Sequence, residues 1–474
     1  MVNSNVPDVV VQVGKINFYY FLLFLNMFIS VYFFIENNLV SSELYLFSIF
    51  IFGLALFNNL YNIIFFLRTF FLGIVGYLAY TIKLIDENIF FAFHMQETQT
   101  IEITSIIFLF TNIAIFTSEF GLRLGLKIKV KKMHSYIYED WRVFYIIFFL
   151  LLIVASILSI KQPLIFFSQY ASETIRLPIQ NFNTIGAILL FILVMYFFKY
   201  KNLLNKNTFI YKTSLIFISI YLLIFSELLR GARMDFLNGL IGLTLLYNLY
   251  VYNNTRMNFK LMLYGGIFFI ILQVIGLIRS VIAIFGFDGA LSAITKYLEN
   301  IGEGNSGGVL IVQGTINNIA ATFSGTIYMI KNDMVEYYYG SSYLDYILRT
   351  PPQFIYPDRP QSLSWIFTEH NMTSGGGFFE LAEAYLNFGI FGIFIIPFLV
   401  SFVISYSFKV FSMNRYSLKH SIVFFAIVAV FMRGELYQTF VFYKGIITGI
   451  ILYYLIYILY GFFNLKIFRI GGKS

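Results

Sequence analysis

Residues 349–389 carry the densest set of side chains suited to chemistry in this chain. His370 can accept a proton near neutral pH, and Glu380 and Glu383 are three positions apart, which places both on one face of a helix. These three residues are therefore our candidate general bases. A loop histidine is often only a surface residue, and acids at a helix start are favoured by its dipole, so the choice among them stays open.

The same stretch predicts a rigid loop that leads into a helix. Four of the eight prolines fall within ten residues, and proline fixes φ and prevents regular helix. The glycines 375–377 follow before the helix resumes. Flat aromatic rings with polar tips suit either sugar stacking or a membrane interface, and the candidates for sugar binding are Tyr356, Trp365 and Tyr385.

Arginine is concentrated on one expected side of the chain. On the topology given below, the outer side holds seven arginines and five lysines, whereas the inner side is dominated by lysine. Arginine recognises phosphate in a planar, bidentate manner, so the set predicts a site for an anionic, diphosphate-like group. Snorkelling and pairing with outer acids is the alternative. The seven candidates are Arg176, Arg230, Arg233, Arg279, Arg349, Arg359 and Arg433.

The sequence contains no pattern for metal- or nucleotide-dependent chemistry. It has no cysteine, no HExxH, no phosphate-binding Walker loop, no GxSxG and no paired DxD acids. We therefore expect no metal and no cofactor. The net charge of +8 is better explained by membrane topology than by nucleic-acid binding.

The elements that position these residues are apolar helices. Hydrophobic residues make up 59% of the chain and charged residues only 12%, and apolar runs of membrane-spanning length recur throughout. This predicts an all-α polytopic membrane protein with about twelve transmembrane helices. The spans are expected near residues 16–35, 43–58, 63–84, 101–121, 142–160, 181–198, 213–229, 234–251, 260–278, 384–408, 420–432 and 440–462.

The distribution of basic residues predicts the orientation. With both termini cytoplasmic, 20 of the 32 basic residues fall inside, Arg68 among them, against only four inside acids. Residues 309–330 are long enough to span, but they carry several amides and hydroxyls. We therefore expect an amphipathic or re-entrant helix there, within a large outer region. The organisation is then 1–278 with nine spans, 279–383 as that region, and 384–474 with three spans and a tail.

Three features together resemble the Wzy-type O-antigen polysaccharide polymerases. They are the short outer turn Arg230-Gly-Ala-Arg233, the loop ending in residues 357–360 (Pro-Asp-Arg-Pro), and the glycine-rich run into residues 380–389 (ELAEAYLNFG). The resemblance implies a GT-C-like glycosyltransferase of the bacterial inner membrane with a periplasmic active face. It also implies an undecaprenyl-diphosphate-linked glycan as donor and as acceptor, and a separate co-polymerase that regulates chain length.

Two other functions remain open at this point. An O-antigen ligase would use the same donor but transfer the glycan to lipid A-core. A lipid-linked oligosaccharide flippase would line a central cavity with charges at mid-membrane depth. The nearly uncharged helix interiors of the sequence favour an enzyme over a flippase.

Overall fold

The computed structural model describes residues 17–36, 42–85, 97–130, 188–195, 242–249, 322–348, 379–414, 420–425 and 449–462. It also describes residues 356–358, 360–361, 363, 365–370, and single positions at 147, 150, 151, 153, 216, 256, 263, 267 and 447. All regular secondary structure within these residues is α-helical, which confirms the helical class.

Four long antiparallel helices come first. They are α1 (Asn17–Glu36), α2 (Ser42–Asn59), α3 (Ile63–Ile85) and α4 (Glu97–Lys127). The first three match the expected spans to within one residue, because their apolar runs end where polar residues begin. Helix α4 continues six residues beyond the expected end at 121, since its last turns are covered by a later helix.

Four more helices follow in the second half of the chain. They are α5 (Ser341–Leu348), α6 (Trp365–Glu369), α7 (Glu380–Phe388) and α8 (Ile390–Met413). Residues 322–331, 420–425 and 449–462 are also helical.

Helices α4 and α8 pack in parallel with a constant register. Ser118 bonds Ser401 at 2.7 Å, Ser405 donates to the carbonyl of Leu122, and both pairs are separated by 283 positions. Small residues allow this close approach. A Cβ on Gly121 would overlap the carbonyl oxygen of Phe398, and Gly121-x-x-x-Gly125 is a known pattern for tight helix contact in membranes.

Helices α7 and α8 form a hairpin rather than the single helix expected over 384–408. The chain reverses at Gly389, whose φ of 57° favours glycine. Gly392 then lies directly against the carbonyl of Ala384, where any Cβ would collide with backbone. We call the end of the bundle that contains Gly389 and the start of α4 the hairpin end.

Two apolar cores divide the bundle along its length. The core at the hairpin end contains Phe108, Phe323 and Leu381, whereas the other core contains Phe66, Leu122 and Phe408. Buried polar side chains lie where the two cores meet, and they are Asn59, Arg68, Thr69, Ser118, Glu119, Glu380 and Ser401.

A second polar cluster lies inside the core at the hairpin end. Asn26 donates to the hydroxyl of Tyr77 at 2.7 Å and to Asn112 at 2.9 Å, and Ser48 bonds both Asn26 and Tyr77. The cluster joins α1, α2, α3 and α4. A network that satisfies its own polar groups specifies how buried helices fit together.

The segment 309–330 is described from residue 322 onward. Residues 322–330 are buried on nearly every face rather than on one, so this part is a core helix and not an amphipathic surface helix. Phe323 packs on Phe110, and Lys331 pairs with Glu102 near the start of α4. The helix therefore runs towards the hairpin end.

Two of the described helices, Ile101–Lys127 and Ile390–Met413, are long and apolar enough to cross a membrane. Shorter apolar helical segments are Tyr20–Ile35, Glu43–Asn59, Ile63–Ile74 and Gly449–Phe462. This pattern agrees with a membrane location, and the described parts of the other expected spans are helical.

Candidate active site

Asn387 fixes α5 onto α7 at the hairpin end. It is fully buried, its amide nitrogen donates to the hydroxyl of Ser342 at 2.7 Å, and its amide oxygen accepts from the backbone of Gly340 at 3.0 Å. The backbone amides of Tyr338 and Tyr339 donate to the carbonyls of Leu386 and Asn387. The segment before α5 is therefore held on the last turn of α7.

Ser342 links this anchor to a candidate base. Its hydroxyl donates to the carboxylate of Glu383 at 3.1 Å while accepting from Asn387. Glu383 itself has no solvent exposure. A hydroxyl oxygen has two lone pairs, so one remains available after the contact with Asn387.

A cleft of about 180 Å³ lies beside Ser342. It is formed by α5, by α6 and by the residues that precede each of these helices. Its apolar base contains Leu363 and Ile366, both buried. Pro360 also lines it, and the other lining residues are aromatic, acidic or polar: Tyr338, Trp365, Asp345, Glu369, Ser342 and Gln361. Burial raises the pKa of the Tyr338 hydroxyl, and the nearby carboxylates of Glu369 and Asp345 raise it further, so this hydroxyl stays protonated as a hydrogen-bond donor.

Glu380 lies away from the cleft, in the polar layer between the two cores. Its two carboxylate oxygens each accept from Arg68 at 2.7 Å, and the Arg68 Nε donates to Ser401 at 2.9 Å. Arg68 and Glu380 are both buried. Ser401 is eleven residues into α8, so the pair lies about 16 Å along the helix from its start.

The position of this pair differs from the expectation for Arg68. From the sequence, Arg68 was counted among the basic residues on the cytoplasmic side, whereas Glu380 was assigned to the outer region on the opposite side. Instead the two side chains meet inside the bundle, because α7 begins deep and rises to Gly389.

His370 is the first residue after α6 and is partly buried, and its backbone amide donates to the carbonyl of Ile366 at 3.2 Å. It directly follows the cleft residue Glu369.

Of the three aromatic candidates, only Trp365 is among the described cleft residues, and it is 47% exposed. Tyr356 is also exposed. Tyr385 packs between Phe110 and Tyr337.

All seven arginines proposed for the diphosphate lie outside the described residues: Arg176, Arg230, Arg233, Arg279, Arg349, Arg359 and Arg433. Within the described part, sequence reasoning missed Ser342, Asp345, Gln361, Glu369 and the partner role of Arg68. The sequence pattern that could have indicated these acids is an acidic residue between aromatic ones, as in residues 343–346 (Tyr-Leu-Asp-Tyr).

No group of three or more metal-ligating side chains occurs among the described residues. Comparison with known proteins finds no matching family model, no similar curated protein and no similar solved structure.

Proposed function

We propose that this protein is a polysaccharide polymerase that joins lipid-diphosphate-linked repeat units at the periplasmic face of the bacterial inner membrane. In this proposal the chain has about twelve spans in a GT-C-like arrangement, both termini are cytoplasmic, and the hairpin end faces the periplasm. A co-polymerase would set the chain length. One observation carries the proposal: the hydrogen bond from Ser342 to Glu383, which connects a buried carboxylate to a cleft that contains Trp365.

The reaction that fits these groups is glycosyl transfer without a metal. A sugar hydroxyl of the acceptor attacks the anomeric carbon of the donor glycan and forms the new C–O bond. The bond from that carbon to the diphosphate oxygen breaks, and its electron pair leaves with the lipid diphosphate. Arginine side chains stabilise the charge that develops there, and the proposed set is the seven outer arginines.

Glu383 is the best-placed of the three candidate bases. In the proposed relay, the acceptor hydroxyl gives its proton to Ser342 as Ser342 passes its own proton to Glu383. Glu380 is less suited, because Arg68 occupies both of its carboxylate oxygens. His370 stays the second candidate because it borders the cleft residue Glu369.

The ligase and the flippase remain the alternatives. The earlier argument against a flippase was the scarcity of charge in the helix interiors, but Arg68, Glu119 and Glu380 are all buried inside the bundle. That criterion therefore no longer separates the two functions. The paired geometry of Arg68 and Glu380 still favours a structural role over a transport cavity.

The decisive experiment uses purified protein, lipid-linked repeat units, and no metal or nucleotide. A polymerase produces a ladder of glycan lengths. A ligase makes no ladder from these units and instead adds a single repeat unit to lipid A-core when that acceptor is supplied. A flippase moves the substrate across liposomes without making any ladder. Arg230→Ala and Arg233→Ala should abolish the ladder, whereas Arg469→Ala in the expected cytoplasmic tail should not. Normal ladders from both turn variants would remove that turn from the mechanism.

A further inference from the structure

We propose that the cleft beside Ser342 holds the attacking sugar of the acceptor, and that it selects a neutral sugar over an anionic one. This inference rests on the proposed function and names the substrate class of its acceptor site. It adds roles for Asp345, Gln361 and Glu369, none of which the sequence singled out.

The size of the cleft suits a single sugar ring. Its volume of about 180 Å³ is smaller than the roughly 300–1,000 Å³ of pockets for drug-sized ligands. Leu363 and Ile366 provide an apolar base, and Trp365 offers an exposed aromatic surface at one side. The C–H face of a sugar packs well against such surfaces, while its hydroxyls need partners.

The polar lining supplies those partners. Carboxylates accept two hydrogen bonds or more, and charged acceptors bind hydroxyls more strongly than neutral ones. Asp345 and Glu369 provide two carboxylates, Gln361 can both donate and accept, and Tyr338 stays protonated as a donor. Together they can bind the several hydroxyls of one ring.

The charge of the lining decides which substrate end enters. The described lining contains two carboxylates, Asp345 and Glu369, and no lysine, arginine or histidine. Like charges at close range oppose binding, so the diphosphate of the donor and the carboxylate of a uronic acid are disfavoured here. A neutral hexose or N-acetylhexosamine at the acceptor end has no such penalty. Its free hydroxyl would then lie near Ser342, the entry to Glu383.

Trp365 makes the proposal directly testable. The chain has only two tryptophans, so Trp141→Phe leaves Trp365 as the single tryptophan, and excitation at the long-wavelength edge of the absorption band selects it over tyrosine. The full-length Trp141→Phe protein in detergent is titrated with methyl glycosides and disaccharides of neutral hexoses and N-acetylhexosamines, and with the matching hexuronic acids. We expect saturable fluorescence changes with neutral sugars and binding at least ten-fold weaker for the uronic acids.

Two further variants assign the selectivity to the cleft. Asp345→Asn combined with Glu369→Gln should reduce the preference against uronic acids to about two-fold or less. Glu336→Gln, an exposed acid of the same segment that is not part of the cleft lining, should leave the preference unchanged. Equal or tighter binding of uronic acids by the parent, a preference unchanged in the double variant, or no response to any neutral sugar would overturn the proposal.

The ladder assay separates this inference from the proposed function. Selective sugar binding without any ladder would leave the cleft assignment standing and remove the polymerase. A normal ladder from a protein whose cleft variants alter neither sugar binding nor the KM for acceptor would remove the cleft assignment alone.

Discussion

The guanidinium of Arg68 and the carboxylate of Glu380 meet in a bidentate ion pair across 312 positions of sequence, with both N–O distances at 2.7 Å. The pair joins α3 to the first residue of α7 in the layer between the two apolar cores. It therefore ties the hairpin to the helices that come first in the chain.

Removing one partner of this pair should destabilise the protein far more than removing both. Arg68→Met or Glu380→Met leaves a buried charge without its partner, which costs about 3–5 kcal/mol, whereas a double change to apolar residues is often close to neutral. We expect each single variant to unfold at a much lower temperature in detergent and the double variant to recover most of the loss.

The double variant also separates structure from chemistry. Because the pair is assigned a structural role, the recovered double variant should still form a glycan ladder. A stable double variant without any ladder would instead return Glu380 to the list of catalytic bases.

The close contact of α7 with α8 should not tolerate any side chain at its crossing point. Gly392→Ala would bring a Cβ into the backbone carbonyl of Ala384, so the hairpin must open. We expect a loss of several kcal/mol by analogy with overpacked cores, which typically lose about 1–3 kcal/mol even where side chains can move. Thermal unfolding in detergent measures it.

The matched control for that change is Gly53→Ala in α2. A Cβ at Gly53 meets nothing within 4 Å, and alanine is favoured over glycine in helices by about 0.8–1 kcal/mol. The control should be neutral or slightly more stable. Equal stability of both variants would argue against the tight hairpin.

The relay from Ser342 to Glu383 predicts a loss of kcat when Glu383 is changed, and a loss of both kcat and stability when Ser342 is changed. Glu383→Gln keeps a hydrogen-bond acceptor but removes the base, so kcat should fall by about 10²–10⁴-fold with little change in stability. Ser342→Ala should lower kcat as well, and it also leaves the buried Asn387 amide short of one partner at a cost of about 1–3 kcal/mol.

The comparison for the relay is His370→Gln at the border of the cleft. If Glu383 is the base, this variant retains most of its ladder rate in the purified system. A loss confined to His370→Gln, with Glu383→Gln active, would transfer the base role to the histidine.

The hydroxyl of Tyr77 should contribute measurably to the bundle. Tyr77→Phe removes bonds to Asn26, Ser48 and Asn112 in a buried network. Hydrogen bonds between membrane helices contribute about 0.6 kcal/mol on average and up to about 1.7, so several lost together should lower stability by roughly 1–3 kcal/mol. Tyr454→Phe at an exposed position serves as the control and should be neutral.

The first three helices could be predicted from the sequence because hydropathy over a window of that length depends only on neighbouring residues. The break at Gly389 could not, since residues 388–392 (Phe-Gly-Ile-Phe-Gly) are as apolar as a continuous span. What reverses the chain there is one glycine at positive φ and the contact between Gly392 and Ala384, and both become visible only in three dimensions.

Which residues make up the candidate site could be read from the sequence only where the pattern is local. In the sequence, Trp365 stands out as an aromatic residue in the expected outer region, and Glu383 stands out as an acid near a predicted helix start. The link between Glu383 and the cleft depends on Ser342, which lies 41 positions earlier and carries no distinctive local pattern. Arg68 was interpreted as one of the basic residues that set the membrane orientation, because its partner is 312 positions away in the sequence.

The long sequence interval between the partners of the ion pair also sets an order of events during biosynthesis. Arg68 leaves the ribosome 312 residues before Glu380, which is roughly 15–60 s at about 5–20 residues per second. Throughout that interval the Glu380 carboxylate that holds Arg68 in the complete chain has not yet been made. The bidentate contact can therefore form only after the later half of the chain has been made, and a truncated chain that stops before α7 should be degraded rather than accumulate.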